Sequence, residues 1–188
     1  GYKDLKKNCM KDYFSIKKLE KDLSKNLIST LSEFLNNKQF NSIARISISI
    51  GPANFSASRQ IVVCARAMSQ QLNCSLDQYS SFKIMAKRIA IKNKILDNNQ
   101  HFWIIKRLKN RGYIAGKYRI YNLKNMNSNF LIEELISPKL YKNTIEGEVY
   151  FEAEYDVEDE LKQLLELSAR NHENLIQNHW ANVLPIYP

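Results

Sequence analysis

The chain has 188 residues, 44% of them hydrophobic, and a formal net charge of +9. That is enough to bury a core in one domain or two small ones; no apolar run approaches the roughly 18 residues of a membrane-spanning helix, and Gly1–Lys7 carries no apolar secretion stretch. Cys9, Cys64 and Cys74 are odd in number and lack a Cys-x-x-Cys spacing, which points away from a disulfide framework or a zinc site and makes a reducing cytoplasm the expected compartment.

In chain order, a polar strand is expected from Tyr2 to about Leu5, a turn at Lys6-Lys7-Asn8, and a second strand from Cys9 to Ile16. From Lys17 to Asn36, the residues Leu19, Leu23, Leu27, Ile28, Leu31, Phe34 and Leu35 spread at helical spacing over roughly half the circumference, wider than the stripe of about 100° that packing on one core needs. Such a helix is either deeply buried or turns its extra apolar arc to a second surface.

Ile46, Ile48 and Ile50 alternate with Ser47 and Ser49, which predicts a half-buried strand over Arg45–Ile50. Gly51-Pro52-Ala53-Asn54 breaks it, and Ser56 is placed to cap a helix running to about Leu72. A helix N-terminus leaving a strand end suits an anion or a partner, although a plain strand-to-helix connection accounts for the same pattern. On that helix Ala57, Ile61, Cys64, Ala65, Met68 and Leu72 read as core. Arg59, Arg66 and Gln70 lie opposite, with Val62 and Val63 beside them. Arg59 sits in the first turn, where a cation opposes the helix dipole, so helix stability does not explain it.

A short segment, Leu76 to Tyr79, follows, and Ser80-Ser81 can cap a third helix through about Ile91. Asp97-Asn98-Asn99-Gln100 reads as a linker. Beyond it, Phe102–Leu108 and Tyr113–Tyr121 form a hairpin around Lys109–Gly112, Phe130–Ile136 is open between helix and strand, and Glu148–Tyr155 is a strand with alternating acids. Asp156 caps a helix with an acid-rich first turn carrying Leu161, Leu164, Leu165 and Leu167. An apolar tail, Trp180 to Pro188, closes the chain.

Charge is distributed unevenly. Residues 83–132 carry twelve Lys and Arg against the single acid Asp97, whereas residues 133–188 carry four against twelve acids. Lys106, Arg107, Lys109 and Arg111 flank Phe102 and Trp103, a basic patch interleaved with aromatics of the kind that binds nucleic acid. A solvated hairpin face gives the same pattern, and the acidic tail can pair with this block internally. Catalytic motifs are absent from the sequence: no GxSxG, no Walker loop and no His-Glu-x-x-His, with His101, His172 and His179 scattered. Glu146, Glu148, Glu152 and Glu154 share a strand face and could hold a metal, but an exposed edge beside the basic block explains them more simply.

The succession Gly51-Pro52-Ala53-Asn54-Phe55-Ser56-Ala57-Ser58-Arg59, a helix ending Ala67-Met68-Ser69-Gln70-Gln71-Leu72-Asn73, then Ser80-Ser81-Phe82, resembles the GPGSFTGxR, helix, SSL order of the bacterial TsaB (YeaZ) family, which has been grouped with the M22 glycoprotease-like proteins as an inactive member. Leu23-Ser24-Lys25-Asn26-Leu27 and Leu184-Pro185-Ile186-Tyr187 extend the likeness at both ends, and residues 97–155 match only in the order of elements. The family's motif glycines are Ala53 and Ala57 here, which favours a packing role for the loop over a phosphate cradle.

The resemblance implies an actin-like ATPase, ribonuclease-H-like α/β fold in two lobes, residues 1–96 and 97–175, with 176–188 returning to the first. It implies a non-catalytic scaffold subunit of the complex that makes threonylcarbamoyladenosine at position 37 of tRNA, with no cofactor and no metal. The implied partners are a TsaD-like transferase, a TsaE-like ATPase and tRNA, with a homodimer as the alternative to the heterodimer, and no membrane. The motif loop is Gly51, Pro52, Phe55, Ser56 and Arg59, and the partner face is Leu27, Phe34, Val62, Val63, Arg66 and Gln70. An RNA-binding module acting through the 102–121 hairpin is the rival reading, and a peptidase or ATPase ranks below both because no nucleophile, base or metal set can be named. The family's first strand precedes Gly1, so about 15 to 25 further residues are expected upstream, and pairing beside Ile46, Ile48 and Ile50 is expected to be disturbed.

Overall fold

The computed structural model describes residues 2–3, 12–13, 16, 23–52, 55–95, 97, 100–121, 130–142, 145 and 147–187. Two short strands, β1 (Tyr2–Lys3) and β2 (Asp12–Tyr13), pair antiparallel; the rest of the expected Cys9–Ile16 strand, apart from Ile16, and residues 17–22 of the expected first helix lie outside the described residues. Helix α1 spans Leu23–Phe34 and stops there, short of Asn36. Asn36 instead caps a separate short helix, α2 (Asn37–Asn41), with a reciprocal capping box to Gln39 that sequence periodicity does not reveal.

Strand β3 (Arg45–Ser49) pairs in parallel with β4 (Ser75–Tyr79), Ile46 opposite Leu76 and Ile48 opposite Gln78. Among the described residues, this ladder has two strands. The crossover between them is α3 (Phe55–Leu72), as a parallel pair requires. Because α3 starts at Phe55, Ser56 lies inside its first turn and is not its cap. Helix α4 (Ser81–Lys92) is capped as expected, Ser80 Oγ accepting from the Lys83 amide at 3.0 Å.

The larger sheet has the order β7-β6-β5-β8, built from β5 (His101–Leu108), β6 (Gly112–Tyr121), β7 (Leu131–Tyr141) and β8 (Tyr150–Glu152). The segment open between helix and strand is thus a strand, pairing with β6 through an irregular register near Lys117. The expected Glu148–Tyr155 strand shortens to three residues running parallel to β5. Helix α5 (Val157–Glu173) is capped by Asp156, which accepts from the Asp159 amide at 3.0 Å.

Two cores result. One face of the large sheet, through Phe102, Ile104, Ile114, Tyr118 and Ile120, packs on Phe82, Met85, Ala86 and Ile89 of α4, so α4 shares its core with strands beyond the linker. The other core joins Ile48, Ile50 and Leu76 to Val62 and Ala65 of α3 and to Val183 of the tail. The tail is held by hydrogen bonds, the Ile186 amide donating to Ile50 O at 2.9 Å and the Leu76 amide to Asn178 O at 3.1 Å.

The basic and acidic blocks meet between α4 and α5. Lys87 pairs with Glu166 at 3.0 Å, Arg88 with Asp159 at 3.1 Å, and Lys92 with Glu154 at 2.7 Å. The acidic residues therefore do pair internally with part of the basic block, and complementary charge fixes which helix faces meet.

The β5–β6 turn depends on Gly112. Its φ is +90°, and a Cβ there would stand 2.1 Å from Tyr141 O, a backbone atom that cannot move without breaking the β6–β7 ladder. Gly112→Ala is therefore expected to cost roughly 2–4 kcal/mol, combining left-handed strain with overpacking. A urea-unfolding midpoint unchanged by this substitution would show that the turn tolerates a Cβ.

Candidate partner-binding face

Helices α1 and α3 lie against each other and leave a largely apolar groove of about 390 Å³ lined by Leu27, Ile28, Arg59, Gln60, Val63 and Cys64. On α3 the lining residues fall at i, i+1, i+4 and i+5, adjacent rows of one helix face. Ile28 is 57% exposed and Val63 67% exposed. Single exposed aliphatics mean little, but two on facing helices, lining one groove, make a patch that folding leaves uncovered. Arg59, exposed in the first turn of α3, supplies a cation at that groove. Cys64 is half-buried, and burial pushes its thiol above the ordinary range, which disfavours the thiolate.

The buried face of α3 is Ser58, Val62, Ala65 and Ser69. Val62 is 3% exposed and belongs to the core against Ile48 and Leu76, so it is not available to a partner, a correction to the expected face. The physical reason is that two serines occupy the inner face. Ser69 donates its hydroxyl to Cys74 O, which satisfies it in the interior and lets the helix approach the sheet closely, while hydropathy alone assigns that face to Cys64 and Met68.

Of the other expected partner residues, Leu27 and Val63 come together in the groove, and Phe34 is half-buried at the last turn of α1 outside its lining. Arg66 stacks its guanidinium 5.5 Å from the ring of Trp180, in the short helix η1 (Trp180–Asn182), and Gln70 is exposed one turn further on. Ile28, Arg59, Gln60 and Cys64 are additions to the expected face, although Ile28 is part of the overwide arc of the first helix and is the residue that turns it outward.

The motif loop is a joint. Gly51, at φ +102°, accepts a hydrogen bond from the Ser81 amide at 2.7 Å, and both Gly51 and Pro52 are buried. Residues 53–54 lie outside the described residues. Beside this joint Ser80 Oγ bonds Glu134, and Tyr118 donates to the same carboxylate oxygen at 3.3 Å. Burial raises the Tyr118 pKa, with the Glu134 charge adding to it, so the phenol stays protonated and donates. The end of β3, the start of α4, strand β6 and strand β7 are thereby tied together.

The hairpin cations are unequal. Arg107 pairs with Glu152 at 2.8 Å, and that hydrogen bond raises its pKa. Lys106 lies 5.0 Å from the Tyr155 ring. Lys109 and Arg111 are exposed in the turn. The acid row serves these cations: Glu148 accepts from Lys117 at 2.7 Å, which lowers its pKa, while Glu146 is outside the described residues. Among the described residues, no group of three or more His, Cys, Asp or Glu side chains is arranged to hold a metal ion.

A further polar centre is invisible in the sequence. Asp77 on β4, fully buried, accepts at Oδ1 from Arg45 at 2.8 Å, Asn171 at 2.9 Å and Asn178 at 2.6 Å, and at Oδ2 from Ser168 at 2.9 Å. It joins β3, β4, α5 and the tail; Arg45 and Ser47 reach it from the paired strand, and its partners on α5 and the tail lie more than 90 positions away in the chain.

No protein-family model and no curated protein sequence matches the chain. Solved structures do. YeaZ from Pseudomonas aeruginosa superposes with a TM-score of 0.61 at 10% identity, covering 88% of this chain and 85% of that one. An uncharacterized protein with similarity to peptidase YEAZ, from Pseudomonas aeruginosa, gives 0.54 at 14% identity, covering 87% and 83%. At such identities the likeness is one of architecture, and the architecture is clear: this is an α/β chain with the YeaZ fold.

Proposed function

We propose that this chain is a non-catalytic scaffold subunit of the machinery that makes threonylcarbamoyladenosine at position 37 of tRNA, holding a TsaD-like transferase through the α1–α3 face. The observation that carries this reading is the groove itself: Ile28 and Val63, exposed on neighbouring helices of a YeaZ-type fold, with Arg59 and Gln60 around them. An apolar centre with a polar rim is the anatomy of a protein interface. Arg59 and Val63, one turn apart on α3, set a charge and an aliphatic side chain next to each other on this face. A TsaE-like ATPase and tRNA complete the proposed complex, with a cytoplasmic setting, and a homodimer through the same face is the alternative when the transferase is absent.

Calorimetric titration of the chain with the TsaD-like protein of the same cell tests this. A saturable one-to-one heat is expected. Absence of heat, with both proteins folded, would overturn the reading.

A further inference from the structure

Half of the twelve cations of the basic block are neutralised within the fold. Lys87, Arg88 and Lys92 face acids of α5 and the segment before it, Lys117 faces Glu148, Arg119 faces Glu133 at 2.8 Å, and Arg107 faces Glu152. One corner is different. The pairing of Tyr113 with Tyr141 sets Gly112 beside Lys142, so the turn carrying Lys109 and Arg111 lies against the end of β7. Lys109, Arg111, Lys139 and Lys142 are all exposed there, and none forms an ion pair among the described residues. Lys139 lies 5.4 Å from the ring of Tyr141, which pairs with Tyr113 across the ladder, so one of the unpaired cations of the corner stands beside an aromatic ring.

Four like charges at the end of one hairpin repel one another, and nothing in the packing requires them. We propose that this corner binds the phosphate backbone of RNA. The charges are spread over a turn and a neighbouring strand end, as successive phosphates demand, and Lys139 lies beside an aromatic ring, the basic and aromatic pattern of a nucleic-acid surface. The site shifts the expected RNA-binding set along the hairpin: Lys109 and Arg111 remain, Lys106 and Arg107 are engaged by Tyr155 and Glu152, and Lys139 and Lys142 join. It uses no residue of the α1–α3 groove, and neither reading rests on the other.

The test is fluorescence anisotropy of the full chain with an unmodified tRNA transcript over a salt series. Lys109→Gln with Lys142→Gln should lower affinity and reduce the log–log salt slope by about 1.4 to 1.8, since each phosphate no longer neutralised takes away roughly 0.7 to 0.9. Lys38→Gln with Lys94→Gln removes the same charge from two other exposed lysines and should leave the slope unchanged. Circular dichroism melts establish that all variants fold. Equal losses in both pairs would reduce the effect to net charge and overturn the site. So would an unchanged slope, or binding of polyglutamate, but not tRNA, that depends on Lys109 and Lys142, which would assign the corner to an acidic protein.

Discussion

Asp77→Ala should destabilise the chain by about 3–5 kcal/mol, because it strands a buried guanidinium. The Arg45 side chain is 5% exposed, and its Nε already lacks a partner; its Nη1 rests on Asp77 and its Nη2 on Ile176 O. Removing the carboxylate also orphans Asn178 Nδ2 and the buried Ser168 hydroxyl. Against a total stability of about 5–15 kcal/mol, this is a large fraction. Asp77→Asn keeps the shape but turns an amide donor toward other donors, and an intermediate loss is expected. Urea unfolding of both variants measures this. A loss below about 1 kcal/mol for the alanine variant would mean that the network contributes little net stability and that Arg45 finds another partner.

Val63→Asp should leave stability within about 0.5 kcal/mol of the parent, since the side chain is exposed, and weaken the TsaD-like transferase at least about 100-fold. That factor corresponds to about 2.7 kcal/mol, within the range for burying a charge without a dedicated partner. Aspartate is preferred to glutamate because the shorter carboxylate reaches Arg59, one turn back, less readily. The neighbouring position separates surface from core. Val62→Ala should cost about 1–3 kcal/mol of stability through a cavity against Ile48 and Leu76 while leaving the affinity of the folded fraction unchanged. If Val62→Ala impaired binding and Val63→Asp did not, the assignment of the two faces of α3 would be reversed.

The contrast between these two valines shows where the sequence is legible. Elements with local signals are readable: the alternating isoleucines of β3, the Ser80 and Asp156 caps, and the hairpin turn ending in Gly112 all specify structure through near neighbours. The buried face of α3 is not, because it is marked by Ser58 and Ser69, whose interior role depends on close approach to a sheet and, for Ser69, on a carbonyl five residues away. Asp77 is harder still. As a lone acid in a short strand it gives no sign of burial, and its Asn and Ser partners on α5 and beyond it become visible only when the chain is folded. The groove is half legible: the overwide apolar arc of the first helix signals a second surface, while hydropathy assigns Cys64 to the core and Gln60 carries no signal of its own. In the basic block, charge counts reveal the excess, but which cations keep an acid is decided by strand register and by α4–α5 packing.

The claim that α1 and α3 hold a transferase is tested most directly by a photo-crosslinking amino acid placed at Val63 and, separately, at Ile28, in the source cell, with Tyr121 on β6 as the control position. Position 63 and position 28 should each capture the TsaD-like protein, and position 121 should not. Capture from position 121 with none from 63 or 28, while all three variants accumulate as folded protein, would contradict the account.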